Sequence, residues 1–490
     1  MKIVFVAVPY LETDQPIMAP AVLKSVAESQ GHKSIGIDLN VDFRARVMSL
    51  PESLRFTMID FLLRKQEKIS GRTFDLFAEI VDQYSRKILS YKPNVVGLSL
   101  LTWQSQVFAQ ELAVNLKRLR PKLEIIMGGT GITQQLMHSD TYYCSSLKNR
   151  GIIDHYITGD GEQALVEYLK GNLNYPGIDS STWTELSDLN QWPYPDYSDY
   201  DFSAYTGNDG QVRIPISDSR GCVRTCEFCD IIEYWKKYRY RSADSLWNEM
   251  LHQIKKHNKS DFIFHNALTN GNMKVFGQLL DRIVEYNSTL PKEKQISWVG
   301  YFIVRNSAQH PEELWKKLSL SNANLILGVE SAIQRVRYEI GKKFTNEDID
   351  WHLEMGQKYQ VPLLLLMIVA YPTETIEDFE FTKQWLNDRA KYSQNSVAGV
   401  SLQYAAILAN TALARKSNEY GIVLGDAAPV WFNKKLSVPI EEKVQHMKDL
   451  LEICEVFHTK TLSATLQSNK RLFTKDSEVL TQASQALENR

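Results

Sequence analysis

The chain of 490 residues lacks most of what would commit it to a membrane, a polyanion or an oxidising compartment. Its longest apolar run, residues 361–371, contains a proline and is too short to cross a bilayer. The opening stretch MKIVFVAVPY has no long apolar region and no small-residue cleavage site, so it does not read as a secretory signal. The net charge is only −2, which gives no global case for a nucleic-acid coat or a membrane-surface protein. No appended RNA-binding module is visible. Cysteine is scarce: five residues, three of them crowded together, exclude an evenly spread disulfide framework and fit a reducing cytoplasm. What remains is ordinary globular composition, 43% hydrophobic and 23% charged, long enough for two or three domains.

Strand-like and helix-like segments alternate over residues 1–174. KIVFVAV, KSIGIDLN, NVVGLSLL, LEIIMGG and DHYITGD read as strands, with one or two helices filling residues 51–90. The alternation predicts an α/β domain with a doubly wound, Rossmann-like parallel sheet. Such sheets bind ligands at the carboxyl ends of their strands. There the sequence places PYLETDQP, SLLTWQS, GGTGIT and GDGE, and small polar residues let a ligand approach the backbone. GGTG is neither a dinucleotide fingerprint nor a phosphate-binding P-loop, and glycines at such junctions are also ordinary turn residues. Residues 175–209, rich in Tyr, Asp and Pro, read as an irregular linker lying along a domain surface. Six further strand–helix units over residues 210–424 predict a partial (β/α)6 TIM-like barrel, and residues 425–490 a small helical C-terminal region.

SDSRGCVRTCEFCD, residues 217–230, holds Cys222, Cys226 and Cys229 at C-x3-C-x2-C spacing. A structural zinc site wants four ligands, and His252, His257 and His265 lie well downstream. Unliganded thiols are common singly, as Cys144 and Cys454 read, but not three to a loop. A 4Fe–4S cluster on three thiolates leaves one iron without a protein ligand, and an open coordination site is what a reactive metal centre requires.

RGCVRTCEFC resembles the signature of the radical S-adenosylmethionine superfamily. GVESAIQRVRYEIGKKFTNEDI is similar to that family's G-[IV]-E-S…K-x-x-T stretch, and MIVAYPTETIEDFEFT to its G-x-P-x-E-T-x-E-D stretch. The resemblance spans roughly residues 213–421. It implies a cluster whose free iron chelates the amino and carboxylate groups of S-adenosylmethionine, and whose electron cleaves the sulfonium to a 5′-deoxyadenosyl radical. It places Phe228 beside adenine and Glu330 and Ser331 against S-adenosylmethionine. Glu374 shapes the adenine pocket or caps the next helix. Asn266 is a candidate contact to the methionine end, and Arg305 meets a carboxylate or makes a surface salt bridge.

The N-terminal half resembles the cobalamin-binding subclass of the same superfamily. Tyr10, Ser99, Leu100, Thr102, Gly128, Gly129, Thr130, Gly159 and Gly161 are then the candidate cobalamin contacts, with the nucleotide tail entering beside Gly128–Thr130. Several motifs depart from relatives. The loop after the first strand has no D-x-H-x-x-G histidine. The G-G-E after the second barrel strand is absent. Ala370 and Thr373 replace glycines, and Ala409-Asn410-Thr411 stands for P-G-T. The resemblance implies a cobalamin-dependent radical methyltransferase acting on an unactivated carbon by way of methylcobalamin. The alternatives are a cobalamin-dependent rearrangement or cyclisation, and a binding protein with a structural cluster and a vestigial first domain. The expected partners are a small-molecule or peptide substrate and an electron donor such as flavodoxin or ferredoxin, with no membrane and no clear nucleic-acid binding.

Overall fold

Apolar β-formers in the first part of the chain build a five-stranded parallel sheet. In the computed structural model the described residues are 1–10, 15–62, 71–133, 143–205, 210–393, 398–405, 407–408, 410–424, 431–433, 445–446, 449–450 and 453–454. They fall into two compact units, Met1–Thr206 and Gly207–Arg490. Among the described residues no helix is long and apolar enough to cross a membrane.

The first unit contains β1 (Lys2–Ala7), β2 (Lys33–Asp38), β3 (Val95–Ser99), β4 (Glu124–Gly128) and β5 (His155–Ile157). Their order in the sheet is β2-β1-β3-β4-β5, all parallel. The order reverses between β1 and β3, so the crevice at their carboxyl ends is the expected ligand site of a doubly wound sheet. Helices α1 (Met18–Ser29), α2 (Asn40–Ser49), α3 (Glu52–Leu62), α4 (Gly71–Ser90), α5 (Gln106–Leu119), α6 (Tyr143–Asn149) and α7 (Gly161–Leu169) connect the strands. One face is buried under Phe43, Phe77 and Phe108, which meet edge to face; the other packs on Val26, Ala27 and Leu165. Residues 51–90 hold two helices, α3 and α4, as expected, and α2 precedes them as a further helix between β2 and β3. Pro51 ends α2 because the residue before a proline is driven out of the helical region, and Leu50 is extended at ψ 152°.

Much of the linker segment belongs to this first unit. Lys24 Nζ lies 2.6 Å from Asp199 Oδ2 and 3.4 Å from Asp196 Oδ2. The Tyr205 hydroxyl donates to Asp38 Oδ2 at 2.9 Å, and the same carboxylate accepts from the backbone N–H groups of Ile17 and Asn40. Its Tyr and Asp content is thus a docking surface, which the composition had suggested.

In the second unit β6 (Ile214–Ile216), β7 (Ser219–Arg220), β8 (Arg239–Tyr240), β9 (Asp261–Phe264), β10 (Ser297–Phe302), β11 (Ala323–Glu330), β12 (Leu363–Val369) and β13 (Ala398–Tyr404) follow in turn. Six of them form an open parallel sheet in the order β6-β9-β10-β11-β12-β13, each beside its predecessor, as a partial barrel requires. β7 and β8 are a short antiparallel pair that brackets the cysteine loop. Between the strands run α8 (Ile231–Tyr234), α9 (Ala243–His257), α10 (Met273–Ser288), α11 (Glu312–Leu320), α12 (Gln334–Ile340), α13 (Asn346–Tyr359) and α14 (Ile376–Arg389). After β13 an antiparallel pair, Ile422–Leu424 with Trp431–Asn433, stands at the border of the expected helical tail. Within residues 425–490 the described residues are the strand at 431–433 and short helical pieces at 445–446, 449–450 and 453–454.

A buried histidine pair ties α13 to the loop ahead of α11. His352 Nδ1 donates to the Asp348 carbonyl at 2.7 Å, and its Nε2 meets His310 Nδ1 at 2.9 Å. Burial holds His310 down to about 2 and His352 to about 4. Both pKa values are depressed below the unfolded value of about 6.5. The neutral pair therefore contributes fully above that pH and loses its contribution as pH falls toward 4. Each histidine removes up to about 1.4 kcal/mol per pH unit in that window. The urea midpoint, followed by tryptophan fluorescence, is expected to fall more steeply from pH 7 to 5 in the native chain than in the His310→Phe/His352→Leu variant. Equal slopes would contradict the assignment.

Candidate functional site

The cysteine loop begins where Gly221 takes φ +81°, a conformation that suits glycine, with the Lys237 backbone filling the place of a side chain. Cys222 Sγ accepts from Arg224 N at 3.4 Å, and Cys229 N donates to the Cys226 carbonyl at 3.1 Å. All three thiols are free and at least partly buried. Burial pushes each of them up, Cys229 to about 12, while Lys342 and Arg224 pull Cys222 and Cys226 back down. The sulfurs feel one another's charge as well. Glu227, between Cys226 and Phe228, staples the loop in place. Its N–H donates to the Ile340 carbonyl at 2.9 Å, its carbonyl accepts from Leu413 N at 2.8 Å, and its carboxylate pairs with Lys416 and accepts from Tyr420 at 3.2 Å.

Glu330 ends β11 in a left-handed conformation, φ 67°, where the register with β12 slips between Gly328 and Glu330. Strained backbone of this kind is held only when its surroundings over-determine it. The surroundings here are Lys342, whose Nζ lies 2.6 Å from Glu330 Oε1 and donates to the Gly328 carbonyl at 2.9 Å. Burial opposes the charge on Lys342, but Glu330 and the thiols of Cys226 and Cys222 outweigh it and raise its pKa. Gly328 leaves the space this pair occupies. Lys342 is the lysine of the K-x-x-T stretch, and its pairing with Glu330 depends on α12 turning back on β11.

The remaining expected residues divide. The Ser331 hydroxyl closes a tight turn after β11, accepting from Ile333 N at 3.1 Å. Asn266 Nδ2 donates at 2.5 Å to Asp218 Oδ1, a carboxyl that burial raises to about 6. Asp218, between β6 and β7, carries no distinguishing pattern, since an acid just after a strand is common. Glu374 lies in the turn after β12, pushed up to about 7 by burial against the opposing backbone N–H groups of Ala370 and Tyr371. Arg305 makes no surface salt bridge among the described residues. Phe228 is half-buried in the loop between Cys226 and Cys229. Two motif threonines prove to be helix starts, since Thr345 with Asp348 and Thr375 with Asp378 form capping boxes.

At the carboxyl end of the first sheet the loops are knitted by backbone bonds. Val8 N donates to the Ser99 carbonyl at 3.0 Å, Leu100 N to Gly128 at 2.8 Å, and Gly131 N to Leu100 at 2.9 Å. The Thr102 hydroxyl accepts from Gln104 N at 3.3 Å, and that of Thr130 donates to the Leu101 carbonyl at 2.5 Å. The expected open slot is partly closed. A side chain at Gly129 would collide with the Leu100 backbone and one at Gly159 with Thr184, because these chains approach closely; only Gly128 and Gly161 would accept one at ordinary contact. Asn40 Oδ1 accepts from Tyr10 N at 2.8 Å, while the buried Asn40 Nδ2 lacks a partner among the described residues. Glu12, Thr13 and Asp14 of the first loop, and Ala409, lie outside the described residues.

Donor chemistry decides what the cysteine loop fits. Among the described residues no three His, Cys, Asp or Glu side chains converge as ligands of a single ion. A cluster instead takes each thiolate on its own iron. Residues 216–386 match the Radical SAM superfamily. The anaerobic magnesium-protoporphyrin IX monomethyl ester cyclase of Rubrivivax gelatinosus is 23% identical over 357 residues, 66% of this chain and 61% of the cyclase. This chain thus spans less than two thirds of that relative. An uncharacterized methyltransferase of Pyrococcus horikoshii is 23% identical over 72% of this chain and 77% of its own. Among solved structures, OxsB, a cobalamin-dependent S-adenosylmethionine radical enzyme, superposes with TM-score 0.65 at 15% identity, covering 97% of this chain and 71% of that one. TsrM, a radical S-adenosylmethionine methyltransferase from Kitasatospora setae, gives 0.61 at 15% identity over 85% and 78%. At that identity the likeness establishes the fold.

Ala370 follows β12 at φ 59°, where L-residues are strained by about 1 kcal/mol or more. Ala370→Gly is expected to raise the thermal midpoint, and calorimetry would show it; a lowered midpoint would mean the side chain is needed there. Gly328→Ala is expected to do the reverse by separating Lys342 from Glu330, at a cost of about 3 kcal/mol.

Proposed function

The chain carries a domain of the radical SAM superfamily, residues 216–386, and on that premise we propose a cobalamin-dependent radical enzyme, most simply a methyltransferase acting on an unactivated carbon. The observation that carries the reading is the three-thiol loop at the carboxyl end of the first barrel strand, with no fourth cysteine within reach in sequence. Cys222, Cys226 and Cys229 hold a 4Fe–4S cluster. When bound, the cluster supplies the electron that cleaves S-adenosylmethionine, and cobalamin supplies a methyl carrier.

The chain's own residues then do three things. Lys342 and Arg224 favour the thiolate form of Cys222 and Cys226. Glu227 fixes the loop through both its backbone and its carboxylate, so the sulfurs keep their places. Glu330, Glu374 and Phe228 sit around the mouth of the barrel and orient S-adenosylmethionine, with Glu330 held by Lys342. In the first unit cobalamin would be held at the β1–β3 switch point, where Asn40 Nδ2 lacks a partner among the described residues and Asn40 Oδ1 accepts from Tyr10 N. No histidine occurs from Pro9 to Pro16, so that loop would offer no imidazole to a bound corrin.

A second reading, ring closure or rearrangement without methyl transfer, is favoured by the relative named as a cyclase. S-adenosylmethionine labelled in its methyl group separates the two. Label in the product is expected for the methyltransferase; 5′-deoxyadenosine without label transfer supports the second reading, and neither product leaves a binding protein.

Replacing Cys222, Cys226 and Cys229 by Ala is expected to abolish iron uptake and 5′-deoxyadenosine release under anaerobic reducing conditions. Cys144→Ala and Cys454→Ala are expected to change neither. A triple variant that still takes up about four irons per chain would overturn the ligand assignment.

A further inference from the structure

The two sheets differ in what lies on their faces. The first is packed on both, as parallel sheets ordinarily are. Among the described residues the second is fully buried on one face only. Trp298 and Phe302 of β10 meet Phe276 of α10 edge to face at 5.8 and 5.6 Å, and Phe264 of β9 meets Trp298 at 5.5 Å. Successive strand side chains point to opposite faces, so Val299 and Tyr301 turn away from α10. Tyr301 stands in register with Ile326 of β11, and Ile326 with Leu364 of β12, which puts all three on this inner face. The alternation continues along β12: Leu363, Leu365, Met367 and Val369 are buried, while Leu364, Leu366 and Ile368 are only half-buried. Tyr301 is 39% exposed in mid-sheet, and Gln403 of β13 is exposed as well.

The inner face is apolar and uncharged. The six strands contain two charged residues, Asp261 and Glu330. Asp261 lies at the foot of the sheet and accepts from the Ser297 hydroxyl; Glu330 lies at the mouth and is paired with Lys342. Between them the polar groups nearest the mouth are the Tyr301 hydroxyl, Ser401 and Gln403, with His265 just past β9. A complete barrel fills its interior with its own side chains, but here the inner residues stay half-open to water. A contiguous open apolar face marks a binding surface. A carboxylate, phosphate or ammonium laid on it gives up water and finds no counter-charge, whereas an apolar body gains by leaving water.

We propose that the inner face, from Tyr301 and Ile326 across Leu364 and Leu366 to Gln403, seats the substrate, and that the substrate is a neutral, largely apolar molecule with a hydrogen-bonding group for Tyr301 or Gln403. This rests on the radical-enzyme reading and narrows its substrate class, in keeping with an unactivated carbon as the reacting centre. S-adenosylmethionine, which is charged, is the rival occupant of the face, and the test separates the two.

The anaerobically reconstituted full chain, with its iron content measured and no reductant added, is dialysed to equilibrium against N-phenyl-1-naphthylamine. A parallel dialysis uses its sulfonate, 8-anilinonaphthalene-1-sulfonate, which has the same rings and one negative charge. The neutral probe is expected to bind, with and without excess S-adenosylmethionine, and the sulfonate to bind at least about tenfold more weakly. Ile326→Gln and Leu366→Gln are each expected to weaken the neutral probe about tenfold, while Phe381→Gln, at a side chain 48% exposed on α14, leaves it unchanged. No binding of the neutral probe, or native-like binding in both inner-face variants, overturns the seat. Equal binding of the sulfonate overturns the substrate class. Complete displacement by S-adenosylmethionine assigns the face to that cofactor and overturns the substrate assignment. Circular dichroism checks folding. If neither inner-face variant folds, Tyr301→Glu, at an exposed position, stands in: it is expected to weaken the neutral probe about tenfold, and native-like binding overturns the seat. Dialysis reads neither cofactor cleavage nor methyl transfer, so failure of the functional reading and failure of the seat remain distinguishable.

Discussion

Three thiols placed within eight residues and half-buried cannot all carry charge without compensation. Burial pushes each of them up, and each sulfur's charge discourages its neighbours. Coordination to a strong cation is the one arrangement that makes three adjacent thiolates favourable. The rest of the second unit follows from that demand. Lys342 is buried against Glu330 beside the sulfurs, Gly328 is small so that this pair fits, and Glu330 accepts a left-handed backbone to reach it. Glu227 spends its backbone and its carboxylate on holding the loop still.

The first unit solves a different problem. Its small residues at the strand ends are not simply openings. Gly129 and Gly159 let one backbone lie against another, so the loops after β3, β4 and β5 form a rigid floor. A side chain at Gly128 would meet Ile157 at ordinary contact, and Asn40 Nδ2, beside the Asn40–Tyr10 bond, lacks a partner among the described residues. A rigid floor with a few unfilled polar positions favours a large, pre-shaped ligand over a flexible one, because little of either partner must be ordered on binding.

Both sheets were legible from alternation alone, since apolar runs of four to eight residues separated by amphipathic stretches leave few other folds. The cysteine ligands were legible because C-x3-C-x2-C is rare without a purpose. Side-chain partnerships were not. Lys342 stands twelve residues from Glu330 and meets it only because α12 turns back on β11. Asp218 and Asn266, 48 residues apart, meet only because β6 and β9 are neighbours in the sheet. Gly129 looked like an opening and proved to be a close approach, because a sequence does not say which atoms face a missing side chain. Thr345 and Thr375, inside the family-like stretches, serve as helix caps, a role their spacing to Asp348 and Asp378 fits.

The central claim is that the missing fourth thiolate leaves one iron open to S-adenosylmethionine. Electron–nuclear double resonance on the reduced cluster, with S-adenosylmethionine carrying ¹⁵N in its amino group, tests it directly. A resolved ¹⁵N coupling that disappears without the cofactor is the result expected. A cluster spectrum that the labelled cofactor leaves unchanged, with the cofactor bound, would contradict the account.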